Sequence, residues 1–187
     1  LLVFGTNGRF YTLGCDKLPP GRGFGEPLRL MIELPNDADI AALQVYRPGV
    51  KLLVASDDGR GFIVRADDVI AQTRQGKQVL NVSGNAEAKI CSPVDEADDY
   101  AAVIGQNRKL LVFALEELPE MTRGRGVMLQ KYKDGGLSDA KTFNMGAGLT
   151  YRYGAGETTV TDLAAWLGKR ASAGRLPPNG FPKNNRF

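Results

Sequence analysis

The sequence predicts an all-β fold: a circular or spiral array of small sheets, each built from a repeat of about 50 residues. Three observations predict it. A strand-turn-strand pattern recurs at near-constant spacing, and helical periodicity is missing from almost the whole chain. Each repeat is also too small to cover its own apolar face, so neighbouring sheets must bury one another. At 187 residues and 43% hydrophobic content the chain can bury a core, and its length suits one compact array.

The first copy of the repeat is LLVFGTNGRFYTLGCDKL at residue 1. It returns as LLVASDDGRGFIVRADDV at residue 52 and, more weakly, as AAVIGQNRKLLVFALEEL at residue 101. Val3, Val54 and Val103 correspond, as do Leu18, Val69 and Leu118, at offsets of 51 and then 49. Two separate anchors with the same pair of offsets argue against coincidence. In each copy an apolar run meets Asn7-Gly8, Asp58-Gly59 or Asn107-Arg108, dipeptides suited to hairpin turns with positive φ, and a second strand follows.

A polar stretch then leads to a basic, glycine-containing bend: GRGFG from Gly21, TRQGK from Thr73 and TRGRG from Thr122. After each bend an alternating strand is expected, in PLRLMIEL, QVLNVSG and VMLQKY. A partial fourth copy reads LTYRYGAGETTVTDL from Leu149, and its basic bend lies in GKRASAGR from Gly168. Within it, TDLAAWLGKR suits about two turns of helix, with Asp162 near the start. The array is thus expected over residues 1–176, and the Pro-, Gly- and Asn-rich residues 177–187 as a tail with little structure of its own.

Several chemistries lack their residues. With no histidine in the chain, Ser-His and Cys-His nucleophiles are excluded, and the commonest general base is missing. No GxxxxGK[ST] loop occurs, and GRGFGEP from Gly21 lies between strands rather than opening a helix. Cys15 and Cys91 have no CxxC spacing and are expected to be reduced and buried. Asp57-Asp58 and Asp67-Asp68 read as turn and strand-end residues that satisfy local backbone donors. DEADDY from Asp95 reads as a solvated loop, without the glycine and spaced glutamate of a calcium loop. No catalytic and no metal-binding residue is assigned. No apolar run approaches the roughly 18 residues of a membrane span, and the charged-then-apolar order of a signal peptide is missing, which points to the cytoplasm. The chain starts on strand-like residues without an initiator Met, as a piece of a longer protein would.

Charge is distributed unevenly. Residues 1–121 hold 13 Lys and Arg against 17 Asp and Glu, whereas residues 122–187 hold 11 against 4. Such asymmetry points to a polyanionic partner. In the repeat frame, Arg22, Arg74 with Lys77, Arg123 with Arg125, and Lys169-Arg170 with Arg175 occupy equivalent places. A circular array would set them around one rim, spaced to follow a curved phosphate backbone, with the adjacent glycines letting backbone N–H groups approach phosphate. Lys131 and Lys133 extend the third bend, while Trp166, among Ala164, Ala165 and Leu167, reads as core packing.

The motifs DDGRGFIVRADDV, TRGRGVMLQKYKDGGLSD and GKRASAGRLPPNGFPKNNRF together resemble the C-terminal domain of the A subunit of bacterial DNA topoisomerase IV, in the gyrase A C-terminal domain-like family. The resemblance covers nearly the whole chain. It implies a β-pinwheel, a propeller-like ring or spiral whose strands are swapped between neighbouring blades and whose outer rim binds DNA. It further implies a non-catalytic domain that bends double-stranded DNA and presents it for decatenation and supercoil relaxation. The implied partners are the A-subunit catalytic core and the ATPase B subunit. ATP and Mg2+ are then implied for the parent enzyme and no cofactor for this domain, at a nucleoid-associated place in the cytoplasm. Gyrase A carries a QRRGGKG box in its first blade; the nearest approach here is Arg123 to Gly126, which favours topoisomerase IV over a gyrase-type wrapping domain. A protein-interaction propeller is the alternative from another class.

Overall fold

The computed structural model describes residues 1–187, and the apolar runs become short strands in it. In chain order these are β1 (Leu2–Gly5), β2 (Arg9–Thr12), β3 (Ile40–Gln44), β4 (Lys51–Ser56), β5 (Arg60–Arg65), β6 (Lys77–Gln78) and β7 (Ala88–Val94). There follow β8 (Tyr100–Gly105), β9 (Leu110–Ala114), β10 (Val127–Met128), β11 (Leu137–Phe143), β12 (Leu149–Tyr153) and β13 (Gly156–Val160). The helical turns are three-residue 3-10 pieces, and no helix is long and apolar enough to cross a membrane.

Four antiparallel hairpins organise the chain: β1-β2, β4-β5, β8-β9 and β12-β13. In the first three, the amides of Gly8, Gly59 and Arg108 bond to the carbonyls of Gly5, Ser56 and Gly105. Their φ angles are 77°, 86° and 62°, the left-handed residue that follows a tight turn in a three-residue hairpin loop. Arg108 therefore holds a conformation that disfavours an L-residue by about 1 kcal/mol.

β3 adds to β1, β7 to β4 and β11 to β8. β3 packs beside β7, and β7 beside β11, so these strands form the inner edges that converge on the axis of the array. The outer edges are filled from the following repeat: β6 pairs with β2 and β10 with β5. In the third sheet Leu167 and Arg175 take that place by bridging to Val112 and Leu110. Each of the first three sheets is thus completed by the chain that adjoins the next repeat's basic bend. The first and fourth sheets share no strand, so the array stays open.

Alternate residues of one strand serve different neighbours. Leu52 and Val54 join Phe4, Phe10 and Phe62 in the core between the first and second sheets, while Leu53 and Ala55 join Val103 and Phe113 between the second and third. Ile104 and Val112 face Tyr151 and Phe181 toward the fourth. A strand buried on both faces reads as a continuous apolar run, as in LLVA.

Three local expectations are corrected. PLRLMIEL is no strand: it makes a 3-10 turn at Leu28–Leu30, whereas its counterparts β6 and β10 pair with β2 and β5. TDLAAWLGKR is no two-turn helix. The Leu167 amide closes one turn on the Leu163 carbonyl at 3.2 Å, and then Gly168 N bonds to Val112 O at 2.9 Å, drawing the backbone out to the third sheet. Cys91 is buried, but Cys15 is exposed at the start of the 3-10 turn Cys15–Lys17, which carries no core face.

Residues 177–187 form no strand or helix but are held against the third and fourth sheets. Phe181 is buried against Tyr151 and Phe187, at ring-centroid distances of 4.8 and 5.7 Å. The Arg108 guanidinium donates to Pro182 O and Asn185 Oδ1, both at 3.0 Å, and the Phe187 amide donates to Asp139 Oδ2 at 2.9 Å.

Candidate nucleic-acid interface

The basic bends follow one another along the outer edge. Glu33 N bonds to Arg74 O at 2.9 Å, which sets the second bend against the segment that follows the first. Gly124 N bonds to Val79 O at 3.0 Å and Asn81 N to Gly124 O at 2.8 Å, repeating the relation for the third bend. Ala171 N to Leu129 O at 2.9 Å and Lys131 N to Ser172 O at 3.0 Å repeat it again for the fourth. Backbone bonds therefore tie the second, third and fourth bends each to the segment that follows the bend before it, while the first bend, Gly21–Gly25, makes no backbone bond to another repeat.

Glycine in the bends has a structural reason. Gly76, Gly126 and Gly174 have φ of 74°, 78° and 80°, and a Cβ on each would stand 2.6, 2.3 and 2.5 Å from the carbonyl oxygens of Phe10, Gly61 and Leu110. Those three acceptors occupy one repeat position, the second strand of the preceding hairpin. Only a residue without a side chain lets the bend lie so close to it.

The cations differ in how far they are committed. Arg22, Arg123, Lys131, Lys133, Lys169 and Arg175 are exposed, and their side chains make no hydrogen bond or ion pair. Arg74 donates through Nη2 to Leu30 O at 2.8 Å, and Lys77 through Nζ to Asp68 O at 2.7 Å. Arg125 stands 3.6 Å from Asp58 Oδ2 in a solvated ion pair. Arg170 is half-buried: Nη1 donates to Met128 O at 2.7 Å, its backbone amide donates to Glu117 Oε1 at 3.1 Å, and Nε is buried without a partner. Its guanidinium clamps the fourth bend onto the third repeat.

Three further cations emerge only from the fold. Arg9, Arg60 and Lys109 share one repeat position, at the same offsets of 51 and 49 as the valines. Arg9 reaches the second bend, donating to Gln75 O at 2.9 Å and Gly76 O at 3.1 Å. Arg60 pairs across the strands with Met128 just after the third bend, and Lys109 precedes Leu110, which bridges to Arg175. The register of the repeat is the sequence signal that marks them.

Acidic residues are largely spent on local structure. Asp58 accepts from Ser56 Oγ, and Asp57 Oδ1 accepts from Glu87 N at 3.0 Å. The Tyr46 hydroxyl, at 2.5 Å, and the Gly49 amide hold the Asp67 carboxyl below its usual range. In the DEADDY loop Asp95 Oδ1 accepts from Ala97 N at 3.0 Å, and Asp99 Oδ1 from Met145 N at 2.8 Å. Trp166 packs against the core of the third and fourth sheets and donates to Leu176 O at 2.7 Å. Tyr132 lies over Gly59 and Gly105, where burial pushes its hydroxyl well above the usual phenol range.

Comparison with known proteins matches this arrangement. The family described as "DNA gyrase C-terminal domain, beta-propeller" matches residues 51–90 and 99–137. The A subunit of DNA topoisomerase 4 from Caulobacter vibrioides is 47% identical over 188 residues, covering 100% of this chain and 24% of the relative. Its counterpart from Rickettsia bellii is 46% identical over 187 residues, covering 100% of this chain and 25% of the relative. The chain thus spans about a quarter of the length of these curated relatives. Among solved structures, the E. coli ParC C-terminal domain superposes with a TM-score of 0.81 at 27% identity, covering 95% of this chain and 76% of that one. The DNA gyrase A C-terminal domain shares the fold, with a TM-score of 0.70 at 15% identity over 92% of this chain and 58% of that one. With its open array of swapped sheets, its matched second and third repeats and its likeness, along all of its own residues, to a quarter of the length of the topoisomerase IV A subunits, the chain belongs to the family of DNA gyrase A C-terminal β-propeller domains.

Proposed function

We propose that the outer edge binds and bends duplex DNA, and that the domain presents the bent segment to the catalytic core of a topoisomerase IV A subunit for decatenation and supercoil relaxation. The observation that supports this reading is the serial bonding of the second, third and fourth bends, each against the repeat before it, with uncommitted cations on the third and fourth. Arg22, Arg123, Lys131, Lys133, Lys169 and Arg175 are the phosphate contacts, joined by Arg74, Lys77 and Arg125, whose heads stay exposed. Arg170 positions the fourth bend through Met128.

Recognition on this reading is of the backbone, with little base specificity, because no helix stands ready to enter a groove. We assign ATP and Mg2+ to the rest of a parent enzyme that also includes the ATPase B subunit. The place of action is the nucleoid in the cytoplasm.

The test is titration of random-sequence duplex at several salt concentrations. With about five of these cations engaged at once, the log-log slope is roughly −4 to −5. Replacing Arg123 and Lys131 together by Glu weakens binding to every sequence and shallows the slope by about 2. Absence of any complex at low salt overturns the reading in favour of a protein-interaction propeller. Ligation of nicked circles with the domain bound then separates planar bending, which leaves linking number near its free value, from gyrase-type chiral wrapping, which shifts it.

A further inference from the structure

The face away from the hairpin turns is opposite in sign to the outer edge. β4 rises from Lys51 to its turn and β7 returns to Val94, so the loops 45–50, 95–99 and 115–120 gather on one side, away from the turns at 6–8, 57–59 and 106–108. A groove of about 1290 Å3 opens there across the first and second sheets, with Leu43, Val45 and Pro93 on its walls and Asp95, Glu96 and Asp98 among them. A second hollow of about 510 Å3 lies between the second and third sheets, beside Asp99, Glu116 and Glu120. The two share Lys51, Val94, Asp98 and Leu115 and so make one trough.

The trough has few cations of its own. Arg47 and Lys51 line it, and Lys51 is already paired with Glu120 at 2.7 Å. Glu96 and Glu116 make no hydrogen bond or ion pair within the domain, unlike Asp95, Asp98 and Asp99, which accept from Ala97 N, Thr142 Oγ1 and Met145 N. Leu43 and Val45 are 50% and 67% exposed, although strand neighbours such as Leu2 and Val3 are buried.

We propose that this trough docks a basic polypeptide segment with an aliphatic anchor. The anchor seats on Leu43 and Val45, and the segment's Lys or Arg side chains meet Glu96 and Glu116. Three features select that occupant. The carboxylates repel a nucleic acid, and their sign is complementary to Lys and Arg. The combined hollow exceeds the roughly 300–1,000 Å3 that small ligands fill. Aliphatic walls beside free carboxylates match a segment that is both apolar and cationic, a combination that a simple counter-ion lacks.

The test uses the whole chain and a fluorescein-labelled synthetic peptide of about 12 residues alternating Leu with Lys and Arg, against a twin with Glu in place of Lys and Arg, followed by anisotropy up to about 1 mM. Saturable one-to-one binding of the basic peptide alone is expected. Glu96→Gln with Glu116→Gln weakens it about fivefold at low salt. Val45→Ser, at an exposed position whose folding is checked by circular dichroism, weakens it independently of charge. Arg123→Glu leaves it unchanged, which separates this result from DNA binding. Equal binding of both peptides, absence of saturation, or indifference to the trough variants overturns the proposal. So does protection of the trough by self-association of the chain, read by sedimentation.

Discussion

The guanidinium of Arg170 lies against the Met128 carbonyl at 2.7 Å, while that of Arg123 extends into solvent without a partner. Arg170→Ala is expected to lower unfolding free energy by about 2 kcal/mol, because a charge-assisted bond is lost and the Met128 carbonyl loses its donor. Denaturant titration measures that loss, and duplex affinity of the folded variant stays near the parent value. Arg123→Ala should do the reverse, with stability unchanged and binding weakened. Linear sequence shows both as arginine beside a bend; only the tertiary carbonyl distinguishes them. The cysteines make the same point. Burial pushes the Cys91 thiol up to about 12, whereas Cys15 is exposed. At pH 8 the Cys91 thiolate fraction is on the order of 10⁻⁴, so a thiol reagent should modify one cysteine promptly and the second only as the chain unfolds. Both sit in similar apolar text, and which one the sheets cover is decided by strand convergence far away in sequence.

At the scale of elements, the four hairpins could be read directly, since each carries its turn dipeptide between apolar runs. The outer segments could not. QVLNVSG and VMLQKY alternate like full strands, yet β6 and β10 are two residues long, because each pairs with one hairpin and then turns to meet the following bend. Gly126 tests that arrangement. Gly126→Ala combines a strained positive φ with a Cβ placed 2.3 Å from the Gly61 carbonyl, and a destabilisation of about 2–4 kcal/mol is expected. Gly25 holds nearly the same φ, 71°, with nothing within 4 Å of the added Cβ, so Gly25→Ala should lose only about 1 kcal/mol. Thermal melts of the two variants side by side give the comparison, and equal losses would mean that strain alone explains the glycines. The first bend is also where Phe24 is fully exposed.

For the whole molecule, the architecture followed from offsets of 51 and 49 and from runs apolar on both faces, whereas the docking of residues 177–187 was not legible. GRLPPNGFPKNNRF has no periodicity, and its partners Arg108, Ser138 and Asp139 lie some 40 to 80 residues away by sequence separation. Removing residues 181–187 should destabilise the fourth sheet by about 3 kcal/mol, because Phe181 leaves the core and Arg108 keeps a left-handed φ without the bonds that offset it. Hydrogen exchange would report this as faster exchange in β12 and β13 and around the β8-β9 turn that holds Arg108.

Because the outer edges of the first three sheets are supplied by the next repeat, mechanical load applied to the two chain ends cannot open the sheets in arbitrary order. The β12-β13 ribbon has no further strand beside it, so it yields first, and its departure strips support from the third sheet. Extension under an optical trap should then proceed as a sawtooth from the C-terminal end inward. Each later rupture releases the contour length of one repeat, about 17 nm at roughly 3.5 Å per residue.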